Sequence, residues 1–298
     1  MTDTLTFCLT EPGTDNLLDL DGVTLRGTAQ TYGQFAEGIW DLARPFRRVT
    51  LDAFAEAYAK VRVAEHRELS AEEVRSLPFI DPSHPLASMW SQRATSFDRF
   101  SCAIDKEAPG RVVDIGAGCA WLAAALTRGG WAAAAVDVTV HGGDGLAAAR
   151  HHDVSLLLAR AEMAALPFAT NSIDLAVFNA SLHYAANVQS ALTEAVRVVR
   201  PGGLVAVLDS PVFKNADAGH KMVEEFQRHS RDQLGVDAAP LEGPGFVTHH
   251  DLTPFAFTRD DGDTVTLSAK LHKRLGALKA RRETASRPLL FTRIGDPS

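Results

Sequence analysis

The sequence predicts an α/β fold built on a doubly wound, mostly parallel β-sheet. From about residue 110, apolar runs of strand length alternate with stretches of helical periodicity. Apolar runs at 111–115 and 131–138 flank a helical stretch at 120–127, and this alternation is typical of parallel strands joined by crossover helices. A second helix is expected over 188–199, where apolar side chains recur every three or four residues.

The same patterns predict the remaining elements and the organisation of the chain. Further helices are expected over 51–75 (as one or two segments), 86–104 and 220–234. Further β-like runs lie at 4–9, 23–25, 154–158, 173–179, 203–208, 264–268 and 289–294. We divide the chain into a small β-rich N-terminal element (1–48), a helical cap (49–108), a core (109–212), and a helical lid insertion with the final sheet strands (213–298).

The charge balance argues against nucleic acid as a partner. The formal net charge is −7, whereas a sequence-independent grip on phosphates needs clustered lysine and arginine. The basic run at 270–282 is the exception, and a solvated face or a strand edge explains such a run more simply. We therefore expect a small-molecule substrate, and the sequence leaves the oligomeric state open.

Cysteine usage and hydropathy predict the compartment. The three cysteines, Cys8, Cys102 and Cys119, are widely spaced and include no CxxC pair. Neither a disulfide framework nor a metal site is expected from them. The first residues contain no signal segment, and no apolar run approaches the roughly 20 residues that cross a bilayer. We expect a cytoplasmic protein with no membrane span.

The strongest local feature is a glycine turn between the first core strand and its helix. The strand delivers Asp114, the chain turns over Gly116 and Gly118, and a helix begins at once. Glycine permits close approach of a ligand to the backbone, and the helix N-terminus offers N–H donors to a carboxylate or phosphate. A plain strand-to-helix turn is the alternative interpretation.

Position 121 separates two classes of ligand. A dinucleotide fingerprint requires a third glycine there, and this chain has Trp121. The pattern Gly-x-Gly-x-Gly of S-adenosylmethionine (SAM) sites falls instead on Gly116, Gly118 and Ala120. Asp137, 19 residues after Gly118, is placed to accept ribose hydroxyls or to act as a helix cap, and it does not separate NAD from SAM.

The run that follows carries a family resemblance. Leu166-Pro167-Phe168 precedes a strand that opens on Asp174, then a helix, then Arg197-Val-Val-Arg-Pro-Gly-Gly203. In this order and spacing, residues 110–212 resemble the class I SAM-dependent methyltransferases with a type 11-like domain. The resemblance implies a Rossmann-like sheet and SAM as cofactor.

The resemblance also implies a set of cofactor-binding residues. The methionine part of SAM would lie over Asp114 and the loop Gly116-Ala117-Gly118, the ribose at Asp137 with Val138 beside it, and the adenine edge at Glu162 and the Met163 backbone. Asn179 would border the sulfonium and the substrate. Two departures affect local geometry: the family usually has Asp where Glu162 stands, and often Asn or Thr at Cys119.

Two segments before the core carry weaker resemblances. Residues 84–97 resemble a helix that covers the SAM pocket in some of these enzymes, with Arg93 on the SAM carboxylate and Trp90 or Phe97 facing the sulfonium. An ordinary amphipathic helix with Arg93 in solvent is the alternative. Residues 32–39 faintly resemble the end of a zinc-ribbon-like segment, of whose cysteines only Cys8 remains.

Three residues are candidates for catalysis: Asn179, which ends the fourth core strand, and His183 and Tyr184, which follow it. Methyl transfer needs a positioned nucleophile and in some cases a general base, and His183 is the first candidate because it follows the strand end at Asn179. A structural histidine is the alternative, and Tyr184 is next as a donor or pocket wall. The predicted reaction is methyl transfer to a small molecule of specialised metabolism. SAM cyclisation, aminocarboxypropyl transfer and non-catalytic SAM binding remain open.

Overall fold

We describe a computed structural model of the chain for residues 6–28, 30–35, 38–238, 241–259 and 283–295. The strands are β1 Asp19–Asp21, β2 Thr24–Arg26, β3 Thr31–Tyr32, β4 Trp40–Asp41, β5 Arg111–Ile115, β6 Ala132–Asp137, β7 Leu157–Arg160, β8 Ile173–Asn179, β9 Val199–Leu208, β10 Val212–Phe213, β11 Val247–Thr248, β12 Thr258–Arg259 and β13 Leu290–Arg293. The α-helices are α1 Arg48–Ala64, α2 Ala71–Ser76, α3 Ala87–Ile104, α4 Trp121–Arg128, α5 Val188–Val198, α6 Ala216–Gln233 and α7 His249–Leu252.

An eight-stranded sheet runs through the centre of the molecule. Its order is β12-β13-β9-β8-β5-β6-β7-β4, and the six strands from β9 to β4 are parallel. β13 is antiparallel to β9, and β12 is antiparallel to β13. The chain therefore reverses its winding direction between β5 and β8, and the predicted doubly wound, mostly parallel α/β fold is confirmed.

Continuous apolar strands explain why the sheet lies inside. In β5 and β8, residues on both faces are buried, including Val113 and Phe178, because helices cover each side of a parallel sheet. α5 lies on the sheet with Leu192 and Ala195 fully buried, and Asn187 caps it by accepting the Ser190 N–H at 2.8 Å. The parallel strands end together, and this edge carries Asp137 and Asn179.

The N-terminal residues are more closely joined to the core than expected. β1, β2 and β3 form a small antiparallel sheet, as predicted for a β-rich element. β4, however, pairs with β7 at the edge of the main sheet. The predicted strand at 4–9 is absent from its described part, where Leu9 makes only an isolated bridge to Phe168. The predicted strand at 154–158 begins three residues later, at Leu157.

The C-terminal part supplies a helix and the last sheet strands. α6 begins four residues before the predicted start, and β13 lies within the predicted run at 289–294. The predicted strand at 264–268 and the basic run at 270–282 lie outside the described residues. Across the described ranges, no helix combines the length and apolar character that crossing a membrane requires.

Candidate functional site

The turn between β5 and α4 has the backbone that its glycines predict. Gly116 and Gly118 have φ values of +71° and +53°, in the region that side chains disfavour. A Cβ on Gly116 would stand 2.4 Å from the Cβ of Ser181, which follows β8. A side chain at position 116 would therefore collide with the turn that follows β8, whether or not a ligand is bound.

A buried histidine supports the same turn from behind. The Nε2–H of His152 donates to the carbonyl oxygen of Cys119 at 2.8 Å, and His152 is 1% exposed. Burial raises the pKa of the Cys119 thiol to about 12, so the thiol stays protonated at neutral pH. Cys119 is thus an uncharged wall of the turn.

Asp114 lies under the turn in a dry environment. It is 1% exposed, and one of its oxygens accepts the Ala123 N–H at 3.3 Å. Its other oxygen, Oδ1, has no hydrogen-bond partner within the described part of the chain. Burial raises the pKa of Asp114 to about 7, against the opposing effect of the Ala123 amide.

Asp137, at the end of β6, is bound to the glycine turn. Its Oδ2 accepts the Gly118 N–H at 2.8 Å. Its Oδ1 accepts the N–H and hydroxyl of Thr139 at 2.7 and 2.6 Å. Burial raises the pKa of Asp137, although these hydrogen bonds oppose the shift. The Asp137 carboxylate is therefore held next to Gly118. The sequence predicts the ribose of the cofactor at this position.

A cavity of about 470 Å³ opens above this edge of the sheet. Eleven of the thirteen predicted site residues line it: Trp90, Arg93, Gly116, Ala117, Gly118, Asp137, Val138, Met163, Asn179, His183 and Tyr184. The other two, Asp114 and Glu162, do not line it, and neither does Phe97. Segments far apart in the sequence thus meet around one space.

Glu162 has protein partners that the sequence did not predict. Its two oxygens accept from Nε of Arg44 at 2.9 Å and from Nε of Arg47 at 2.7 Å. Arg47 also forms an ion pair with Glu242, in the C-terminal part of the chain. The carboxylate that was expected at the adenine edge therefore joins the N-terminal segment to the core, and its contact with adenine stays a prediction.

Arg93 and Trp90, on α3, face the cavity together. The guanidinium carbon of Arg93 lies 4.9 Å from the Trp90 ring centroid, so Arg93 already occupies one face of that ring. No hydrogen bond or ion pair of Arg93 occurs with any residue that the structure describes. Trp90 packs edge-on against Trp121, with 5.9 Å between ring centroids. The guanidinium is available to an anionic group in the cavity.

His183 and Tyr184 form the wall beyond β8. Their ring centroids are 4.2 Å apart, and His183 Nδ1 lies 3.5 Å from the hydroxyl of Ser210. Burial lowers the pKa of His183 to about 3, helped by the positive charge of Arg287. The imidazole is neutral at physiological pH and is a weak base.

Sequence reasoning missed the contribution of α1 to the cavity. Arg62 donates to the Tyr184 hydroxyl at 2.9 Å, forms an ion pair with Asp144 at 3.3 Å, and lies over the Tyr58 ring at 4.2 Å. Phe54 and Tyr58 also line the cavity, and both lie in the helix expected over 51–75. Their four-residue spacing with Arg62 places all three on one face, and this face was the available signal.

A family model now identifies the core. Residues 113–207 match the model described as "Methyltransferase domain". Over these residues the chain is similar to a methyltransferase domain. The matched stretch contains β6, β7 and β8, all of β5 but its first two residues, and all of β9 but its last residue. No curated protein matches the chain.

Solved structures similar to the chain include three of low sequence identity. The YcgJ protein of Bacillus subtilis is 14% identical, with 68% of this chain and 100% of that chain covered and a TM-score of 0.49. Geranyl diphosphate C-methyltransferase of Streptomyces coelicolor A3(2) is 12% identical, with 80% and 97% covered and a TM-score of 0.47. Phosphoethanolamine N-methyltransferase 2 of Haemonchus contortus is 14% identical, with 82% and 60% covered and a TM-score of 0.49.

The residues around the cavity fit in charge the SAM that the sequence resemblance implies. Asp137 offers a carboxylate for the ribose hydroxyls, and Arg93 offers a guanidinium that faces the cavity for the carboxylate of the methionine part. The orphaned oxygen of Asp114 lies next to the turn, where a cationic ligand would favour the ionised carboxylate. A Cβ at Gly118 would stand 3.1 Å from the carbonyl oxygen of Asp144, so the turn also keeps the backbone bare.

Proposed function

We propose that the chain is an enzyme that transfers the methyl group of SAM to a small-molecule acceptor. The observation that carries the proposal is the single cavity that joins the glycine turn to Asn179, His183 and Tyr184. Cofactor and acceptor must share such a space, since transfer takes place by direct displacement at the methyl carbon.

The walls of the cavity favour a small acceptor. Side chains of α1 and α3 line it, and α6 adds the apolar side chains of Met222, Val223 and Phe226. The volume of about 470 Å³ lies within the range of small-molecule sites. A nucleic acid would need an open basic surface, and the net charge of −7 opposes that.

Each group of residues has a proposed task. SAM supplies a methyl carbon already activated by the sulfonium. Asp137, Arg93 and the turn at 116–118 hold the two ends of the cofactor, so that its reactive centre lies towards Asn179. Arg62 orients the Tyr184 hydroxyl, and the apolar side chains of α6 exclude water from the acceptor.

Isotope transfer tests the proposal directly. The purified chain is incubated with SAM labelled in its methyl group and with an extract of the cells that express it, which is then separated into small molecules, protein and nucleic acid. We expect label in the small-molecule fraction and an equal amount of S-adenosylhomocysteine. Label in protein or nucleic acid would contradict the acceptor class.

The second product distinguishes the reactions that the sequence left open. Release of methylthioadenosine instead of S-adenosylhomocysteine would indicate attack on the amino-acid part of SAM and would refute methyl transfer. Asp137→Ala, prepared in parallel, is the matched control and should form neither product at a comparable rate. If the chain binds SAM but forms no product with any extract, the proposal that it is an enzyme is wrong.

A further inference from the structure

An aspartate directly after β9 lines the cavity and has one oxygen without a partner among the described residues. Asp209 lines the cavity and is 8% exposed. Its Oδ1 accepts the hydroxyl of Ser96, on α3, at 2.7 Å. Its Oδ2 is buried and has no hydrogen-bond partner within the described ranges. An unsatisfied buried acceptor destabilises the structure, so a ligand that donates a hydrogen bond to this oxygen would be favoured.

The backbone of Asp209 has an unusual conformation. Asp209 has a φ of +57°, a left-handed conformation that non-glycine residues adopt rarely. Such strain persists where the surrounding structure or a function requires it. Here the turn brings the carboxylate to the end of the strand, and the hydrogen bond from Ser96 holds it there.

Asp209 lies beside the predicted position of the sulfonium. In the parallel pair β8 and β9, Asn179 is level with Leu208, so Asp209 is one residue beyond that level on the adjacent strand. The Oδ1 of Asn179 is also buried without a partner in the described structure. Two residues on neighbouring strands that line the cavity therefore each carry a hydrogen-bond acceptor without a partner among the described residues.

The alternative base is poorly suited to accept a proton. The pKa of about 3 for His183 reflects burial among like charges, so its protonated form is costly. Burial raises the pKa of Asp209 above that of an ordinary carboxyl, although Ser96 and the nearby arginines oppose the shift. Asp209 is therefore a stronger base than His183. Both residues line the cavity.

We propose that Asp209 is the catalytic base of the reaction, and that the methyl acceptor is a protic nucleophile, with an O–H or N–H that donates to the free Oδ2 of Asp209. This inference rests on the proposed function. The lone pair of the acceptor atom forms the bond to the methyl carbon while the methyl–sulfur bond breaks and leaves its electron pair on sulfur. The acceptor proton passes to Oδ2, and the products are the methylated acceptor, S-adenosylhomocysteine and a neutral carboxyl.

Sinefungin tests this geometry without knowledge of the acceptor. It carries an amine-bearing carbon where SAM carries its methyl sulfonium, and the protonated amine therefore places N–H donors at the site of transfer. Calorimetry at pH 7.5 measures the ratio of the Kd of S-adenosylhomocysteine to the Kd of sinefungin. We expect a ratio above 1 for the wild type and a roughly tenfold fall in the ratio for Asp209→Asn, because a charge-assisted hydrogen bond is lost.

Two further variants make the result decisive. Asp98→Asn removes an exposed carboxylate of α3 that does not line the cavity, and its ratio should equal that of the wild type. Ser96→Ala removes the hydrogen bond that orients Asp209 and should lower the ratio about threefold, which decides the matter if Asp209→Asn does not fold. An unchanged ratio in both Asp209→Asn and Ser96→Ala overturns the proposal. If the wild type does not bind S-adenosylhomocysteine, the proposed function itself fails, and that outcome is separate.

Discussion

The amide N–H of Gly118 donates to the carboxylate of Asp137 over 2.8 Å. This bond joins the glycine turn after β5 to the end of β6, and the hydroxyl of Thr139 holds the other oxygen of the same carboxylate at 2.6 Å. Asp137 therefore shapes the turn before any ribose binds. Its two proposed tasks, support of the turn and contact with the cofactor, share one side chain.

Replacement of Asp137 should damage cofactor binding more than folding. We expect Asp137→Ala to weaken the binding of S-adenosylhomocysteine about 10- to 100-fold, because hydrogen bonds to a charged group contribute roughly 1.5–3 kcal/mol. Calorimetric titration measures the loss. Asp105→Ala, at an exposed position outside the cavity, should bind as the wild type does, and equal affinity of all three proteins would contradict the site.

The position of the Arg93 guanidinium at the cavity predicts a selective loss of cofactor binding. Arg93→Ala should weaken the binding of S-adenosylhomocysteine roughly tenfold or more, since a charge-assisted contact with the ligand carboxylate disappears. Methylthioadenosine lacks that carboxylate, so its Kd should change little. Comparison of the two ligands on the wild type and the variant provides the check. A parallel loss for both ligands would mean that Arg93 acts on the fold and not on the carboxylate.

The ion pairs of Glu162 predict a loss of stability. Its side chain is 11% exposed and binds two guanidinium groups, so Glu162→Gln should lower the free energy of unfolding by about 1–3 kcal/mol. Glu242 pairs with Arg47 as well but is 44% exposed, and Glu242→Gln should cost less than about 1 kcal/mol. Urea unfolding of both variants measures the difference, and equal losses would contradict this account.

The raised pKa of Asp114 predicts a pH dependence of stability. Between its ordinary pKa of 3.8 and its folded value of about 7, the native state retains a proton that the unfolded chain has released. The free energy of unfolding therefore falls as the pH rises through this window and levels off above it. Asparagine does not titrate, so the stability of Asp114→Asn relative to the wild type should increase by about 3 kcal/mol between pH 5 and pH 8.

Urea unfolding at these two pH values is the measurement, with Asp105→Asn as the exposed control. The control should show no pH-dependent difference from the wild type. A constant difference between Asp114→Asn and the wild type across the window would show that Asp114 is ionised in the native state.

Local sequence patterns were sufficient for the core. The apolar runs at 111–115 and 173–179 became β5 and β8 with the predicted bounds, because strands buried on both faces need continuous apolar side chains. The edge element β4 was missed, since two residues carry too little pattern. The shift of β7 to Leu157–Arg160 is of the same kind, because no residue type marks where its pairing with β6 begins.

What the sequence by itself determined is the doubly wound sheet and the glycine turn with Asp114 and Asp137, since periodicity and backbone conformation are properties of adjacent residues. The tertiary structure decided the rest of the site: the protein partners of Glu162, the presence of Arg62 in the cavity and the free oxygen of Asp209. Each of these depends on segments more than 100 residues apart. Burial and electrostatics act through space, and a side chain acquires its pKa and its partners only when the folded chain brings such segments together.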